Sequence, residues 1–185
     1  MKKTLLVFIS LTPLLYLAYS VQNANDPIKY IYTFTGLSSM GFLFASLCIS
    51  PLKKIYNLMV YRKILGLFAL FYAFLHFANF FVLDAQFDIS FVLKETLDKP
   101  FIYLGMLAFL ILVFMGFTST KKLFAKFHKW HKLVYIALIL VVIHENMAQK
   151  VMGILEYFFI AFAMILLGFR LQRKWLSKKQ THVAS

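Results

Sequence analysis

Residues 64–83 read ILGLFALFYAFLHFANFFVL, twenty positions with no lysine, arginine or acid and with one histidine, His76. A helix rises ~1.5 Å per residue, so a run of this length covers the ~30 Å hydrocarbon layer of a bilayer. Aqueous folds do not need so long a stretch without a solvated face. The segment reads as a membrane-spanning helix, and it sets the scale for the rest of the chain.

The same standard selects five more segments. The expected spans are 4–20, 33–50, 64–83, 100–117, 130–147 and 151–169. The fifth is apolar only from Leu133 and reaches spanning length if its helix begins among Lys129 to Lys132 at the interface. The fold class is therefore all-α, a single six-helix polytopic bundle. At 185 residues, 62% hydrophobic and a mean hydropathy of +0.77, the chain has room for short loops and a basic tail, 174–185, expected to be irregular. A separate catalytic or nucleotide-binding domain does not fit. Cys48 is the single cysteine and lies in an apolar run. A disulfide framework, a cysteine zinc site and an iron–sulfur centre are thereby excluded.

The net charge of +13 belongs to topology, not to nucleic acid. With the N-terminus inside, the inner stretches hold sixteen of the twenty basic residues, among them Lys53, Lys54, Arg62, Lys63, Arg170 and Arg173. The outer stretches keep Lys29, Lys94, Lys99 and Lys150, and all seven acids fall on or near the outer side. Basic residues resist translocation, so both termini are expected in the cytoplasm. Reading 4–20 as a cleaved secretory leader is the alternative. Its spanning length and the alternation of charge favour retention. Between Asp84 and Lys99, Phe87, Ile89, Phe91, Val92 and Leu97 interleave with acids, a pattern that suits a short interfacial element.

Ionisable side chains at lipid depth are costly, and apart from histidine the spans contain almost none. His76 lies in the third span, His144 near the outer end of the fifth and His131 near its inner end, while His128 and His182 fall in solvated stretches. His76 is ~21 Å along the helix axis from Arg62, and His144 is ~20 Å from His131. If Arg62 and His131 both mark the inner interface, His76 and His144 reach one height on helices of the same direction. Two imidazoles at one depth can clamp a metal from opposite sides. The alternative for each is an ordinary interhelical hydrogen bond, and for His131, beside Trp130 and lysines, headgroup anchoring. The row Gly66, Ala69, Ala73, His76 is small except for its histidine, and Ala137 lies two turns before His144. Small side chains leave room for a flat ligand or for close helix packing. Asn79 and Asn146 neighbour the two histidines and could orient them.

Several short motifs occur in order: Asp26-Pro27-Ile28-Lys29, Thr33-Phe34-Thr35-Gly36, Ile49-Ser50-Pro51-Leu52, Arg62-Lys63-Ile64-Leu65-Gly66-Leu67, Leu75-His76, Lys99-Pro100-Phe101, Phe117-Thr118-Ser119-Thr120, His131-Lys132-Leu133-Val134-Tyr135 and Ile143-His144. Together they cover about 26–170, and the chain resembles the MsrQ (YedZ) family, within the ferric-reductase-like transmembrane group. That resemblance implies an inner-membrane electron-transfer subunit that binds haem b, with His76, His131 and His144 at the family's haem-associated positions and His76 and His144 as the axial pair on the iron. It implies FMN as a further cofactor and the quinone pool or a cytoplasmic flavin reductase as electron donor. The implied partner is MsrP, a periplasmic molybdopterin enzyme that repairs methionine sulfoxide; this chain would supply electrons without performing that chemistry. Relatives that stack two haems carry a second histidine on helix three. Here Arg62 stands there, which favours one outer haem, and Arg62 could receive a propionate or flavin phosphate from the inner side. Close alternatives are a ferric or other metal reductase of the same fold, a small transporter whose histidines relay protons, and an assembly subunit that carries no electrons. The transporter reading lacks a midplane carboxylate and matched helix breaks.

Overall fold

Each apolar run becomes a helix because, away from water, a backbone must satisfy its own N–H and C=O groups. A computed structural model of the chain describes residues 2–52, 58–149 and 151–183. Its helices are α1 (Lys2–Ser20), α2 (Pro27–Leu52), α3 (Met59–Asn79), α4 (Ile89–Asp98), α5 (Pro100–Phe117), α6 (Lys121–Phe127), α7 (Val134–Ala148) and α8 (Ile154–Val183). Among the described residues, six stretches are long and apolar enough to span: Lys3–Asn23, Pro27–Leu52, Met59–Asp84, Pro100–Phe117, Trp130–Ala148 and Ile154–Arg173. The outside of the bundle is apolar, with Phe8, Leu110 and Phe158 respectively 65%, 55% and 56% exposed. Such a surface belongs in lipid. The protein is all-α with six candidate spans, as the apolar runs predict.

The boundaries differ from expectation in three places. The second span begins at Pro27, not near 33, because Asp26 Oδ1 accepts the Lys29 N–H (3.0 Å) and Pro27 suits the first helical position. The third begins at Met59, ahead of Ile64, whereas the fifth falls where expected, a 3-10 turn, Trp130–Leu133, preceding α7 to give Trp130–Ala148. The expected irregular tail is helical instead, since α8 continues to Val183. Lys53, Lys54 and Lys150 lie outside the described residues, as do the side chains of Lys2, Lys174, Lys178, Lys179 and His182.

Two helix pairs organise the bundle: α2 packs along α3, and α5 along α7, each more extensively than the pairs meet one another. Small residues let the first pair close. Ser39 Oγ donates to the Ala69 carbonyl (2.9 Å) and Ser46 Oγ to that of Arg62 (3.1 Å), while a Cβ on Gly66 would sit 3.5 Å from Ser46 Oγ. Gly66 and Ala69 thus serve helix packing. Met40, Leu43 and Leu47 of α2 meet Leu112 of α5 and Leu138 of α7 in the shared core.

Helix α1 is pinned by one phenol. Pro13 removes a donor from its ladder, and Thr12 Oγ1 covers the Ile9 carbonyl (2.7 Å). One residue further on, Tyr72 Oη accepts the Leu14 N–H (3.1 Å) and donates to the Ser10 carbonyl (2.9 Å). Tyr72 is fully buried.

Beyond His76, α3 widens into a π turn, Phe80–Asp84, in which the Ala85 N–H reaches back to the Phe80 carbonyl (2.9 Å). Gln86 (φ 46°) and Phe87 (φ 66°) are left-handed, a conformation that costs non-glycine residues about 1–2 kcal/mol each. Asp88 then caps α4, its Oδ1 accepting from the N–H groups of Ser90 (2.8 Å) and Phe91 (3.2 Å). The interleaved pattern from Asp84 to Lys99 is therefore an amphipathic helix, buried at Val92 and exposed at Ile89, Leu93 and Leu97.

Candidate cofactor site

A cavity of about 520 Å³ opens between the two helix pairs toward the Asp84–Lys99 side. Its inner walls are apolar, including Met40, Ala73, Phe77, Ala108, Phe109 and Val141. His76 enters from α3 and His144 from α7. Their ring centres stand 6.1 Å apart with planes at 86°. The depth argument therefore brings together the two residues it selects.

Each imidazole is held the same way. His76 Nδ1 lies 3.1 Å from the Tyr32 carbonyl oxygen, and His144 Nδ1 lies 2.6 Å from that of Phe101. A carbonyl only accepts, so each Nδ1 bears the proton and each Nε2 keeps its lone pair. This is the state in which histidine binds metal, with the outer hydrogen bond fixing the ring. An imidazole nitrogen sits about 2.0 Å from a first-row metal and its ring centre about 1.1 Å further back, so two rings on one ion stand about 6.2 Å apart. The observed 6.1 Å matches, and perpendicular planes are allowed when both contain the ligand axis. The pair fits iron in a porphyrin. A haem iron held by both His76 and His144 would keep no open position, which would suit electron transfer over oxygen chemistry.

The residues that make this possible are ones the sequence reading missed. Tyr32 and Gly36 stand four apart on α2, and Phe101 and Gly105 four apart on α5. On a helix, the side chain at i+4 covers the surface next to the carbonyl of residue i. Glycine there lets an imidazole in. A Cβ on Gly36 would lie 3.2 Å from His76 Cε1, and one on Gly105 only 2.8 Å from His144 Cε1 and Nδ1. The aromatic rings of the same two residues flank the imidazoles, Tyr32 edge-on to His76 (5.4 Å) and Phe101 near-parallel to His144 (6.1 Å). A glycine four positions after an aromatic, on a helix opposite a buried histidine, is the signal that could have found them.

The other candidates lie elsewhere. His131 stands at the inner end of its span, where its Nε2 meets Thr118 Oγ1 (3.0 Å) and its ring meets Phe124 (4.7 Å). Thr118 already donates to the Phe114 carbonyl (2.8 Å), so His131 is the donor through Nε2, the opposite tautomer from the paired histidines. Neither His131 nor Arg62 lines the cavity. Of the small row, Ala73 lines the cavity while Gly66 and Ala69 pack on α2; Ala137 is buried in the core. Asn79 donates to the Ile28 carbonyl (3.4 Å) and Asn146 to that of Val142 (2.7 Å). Both serve helices, not imidazoles.

Comparison with known proteins identifies the family. The profile of the ferric reductase like transmembrane component family matches residues 33–142, a stretch that takes in His76 and all of α3 and ends two residues before His144. Fold and site therefore define a ferric-reductase-like transmembrane protein. A relative from Agrobacterium fabrum (strain C58), the protein-methionine-sulfoxide reductase heme-binding subunit MsrQ, is 34% identical over 164 residues, covering 85% of this chain and 76% of the relative. Proteins of the same name from Brucella ovis and Brucella canis are 32% identical over 171 residues, 89% of this chain and 78% of theirs. The chain belongs to the MsrQ family, a family of multi-pass inner-membrane proteins. No solved structure matches it.

Proposed function

We propose that this chain is the haem b-binding membrane subunit of a methionine sulfoxide reductase system, with both termini in the cytoplasm and one haem in the periplasmic half of the bilayer. The observation that carries the reading is the 6.1 Å meeting of His76 and His144, each with Nδ1 tied to a carbonyl. Bound there, haem supplies one-electron redox chemistry. His76 and His144 hold the iron; Tyr32 and Phe101 fix the rings; the apolar walls exclude water; α4 stands over the outer mouth. The electrons come from the quinone pool or a cytoplasmic flavin reductase and leave to an MsrP-like periplasmic molybdopterin enzyme. The acidic stretch Asp84–Asp98 offers that partner a charged surface. FMN stays an implication of family resemblance, with Arg62 as the positive group and the His131 Nε2–H as a donor for its phosphate, and the proposal rests on haem alone.

His76→Ala and His144→Ala are each expected to abolish or strongly alter the haem optical spectrum, while His128→Ala leaves it intact. A purified protein without haem absorbance, produced where haem is plentiful, would overturn the reading. The family description also admits a ferric reductase. Coexpression with an MsrP-like enzyme and assay of sulfoxide reduction separates the two: sulfoxide-dependent reoxidation supports the first, and reoxidation by ferric chelates alone supports the second.

A further inference from the structure

The cavity is two-faced. Its inner walls are hydrocarbon, whereas its outer rim carries Lys29, Asp84, Glu95, Lys99, Glu145 and Gln149. The three rim acids are already engaged: Asp84 Oδ2 accepts from Tyr32 Oη (2.6 Å), Glu95 pairs with Lys99, and Glu145 Oε1 accepts from Gln149 (3.1 Å). Among the described residues, the Lys29 ammonium has no ion-pair partner, and Lys99 is half exposed and shares one carboxylate.

Both lysines also stand at the starts of long helices. Lys29 is the third residue of α2 and Lys99 precedes the first residue of α5. At Lys29 a cation is electrostatically misplaced, because the helix end is itself positive; Lys99 stands between the C-terminus of α4 and the start of α5 and meets both signs. Negative charge delivered into the cavity would satisfy Lys29 outright. A ligand that is a flat apolar plate with two carboxylates on one edge matches this division of the cavity.

We propose that Lys29 and Lys99 form a carboxylate-binding rim that receives the two propionates of the porphyrin and sets it with that edge toward the outer surface. This rests on the haem reading above and deepens it. Lys29 is the free anchor, while Lys99 exchanges its Glu95 partner or shares it.

The test compares haem b with its dimethyl ester, in which both propionates are capped. The full chain is produced in haem-deficient cells, purified in detergent and titrated with each porphyrin by optical absorbance. A charge-assisted hydrogen bond discriminates by roughly tenfold, so wild type should bind haem at least that much more tightly than the ester. In Lys29→Gln/Lys99→Gln that preference should collapse toward unity, with ester binding unchanged and the bis-histidine spectrum kept. Glu95→Gln, which frees Lys99, should raise the preference. Equal wild-type binding of the two porphyrins, both with bis-histidine spectra, overturns the rim and leaves the haem reading standing. So does a double variant that keeps the full preference. Failure of wild type to bind either porphyrin overturns both readings together.

Discussion

Gly105→Ala adds one methyl group to the protein and aims it at the ring of His144. The new Cβ would lie 2.8 Å from Cε1 and Nδ1, where ordinary contact begins at 3.4 Å. The imidazole must therefore retreat by 3.4 − 2.8 = 0.6 Å. Its Nδ1 sits 2.6 Å from the Phe101 carbonyl, so a retreat of that size stretches or breaks the bond that fixes the ring. Losing such a support lowers metal affinity by ~10–100-fold. Gly36→Ala needs only 3.4 − 3.2 = 0.2 Å at His76 and should cost less than about threefold, since thermal side-chain adjustment absorbs shifts of that order. Gly41→Ala, with open space around it, is the control. Haem occupancy of the three purified variants, read as absorbance per protein against a dilution series in apomyoglobin as competitor, should fall in the order Gly41→Ala, Gly36→Ala, Gly105→Ala. Equal retention by Gly105→Ala and Gly41→Ala would refute the argument that these glycines exist to admit the imidazoles.

Tyr72→Phe removes the hydroxyl that joins Leu14 and Ser10. Interhelical hydrogen bonds in membranes average ~0.6 kcal/mol, so two of them predict a loss of about 1 kcal/mol in detergent unfolding, with the haem spectrum unmoved. His131→Ala deletes the Thr118 contact but not the paired rings; it should leave the absorbance of the outer haem in place, and a loss matching that of His76→Ala would disprove the separation of the two sites. Asp88→Ala takes away the cap of α4, worth ~1 kcal/mol. Hydrogen exchange at Ser90 and Phe91 should accelerate about fivefold, and Asp88→Asn, which keeps an acceptor, should remain near wild type.

Six spans were legible because lipid imposes a length and a composition, and because lysines mark the inner ends. The height of His76 and His144 could be counted from Arg62 and His131, since a helix advances by a constant step. Other features left no such trace. Lys29 made the start of α2 look like loop, although Asp26 and Pro27 are a capping signal. The carbonyls of Tyr32 and Phe101 have no side-chain signature, and a glycine in an apolar helix reads first as packing. Of the row beside His76 only Ala73 borders the cavity; Gly66 and Ala69 face Ser46 and Ser39, a distinction that depends on which neighbour each side of the helix meets.

The two helix pairs, α2 with α3 and α5 with α7, each close well on themselves and meet one another over the shared core, with the cavity open beside it. Each contributes one histidine, and each histidine is braced within its own half. A metal joined to both rings would act as a rivet across that seam. Without it the halves keep their internal order and are joined by the shared core alone. Any ligand that binds only the closed form stabilises it in proportion to the logarithm of its concentration. Were haem that metal, as proposed, its shortage would weaken this protein at a joint rather than at a helix, and membrane proteases that recognise loosened bundles would meet it there.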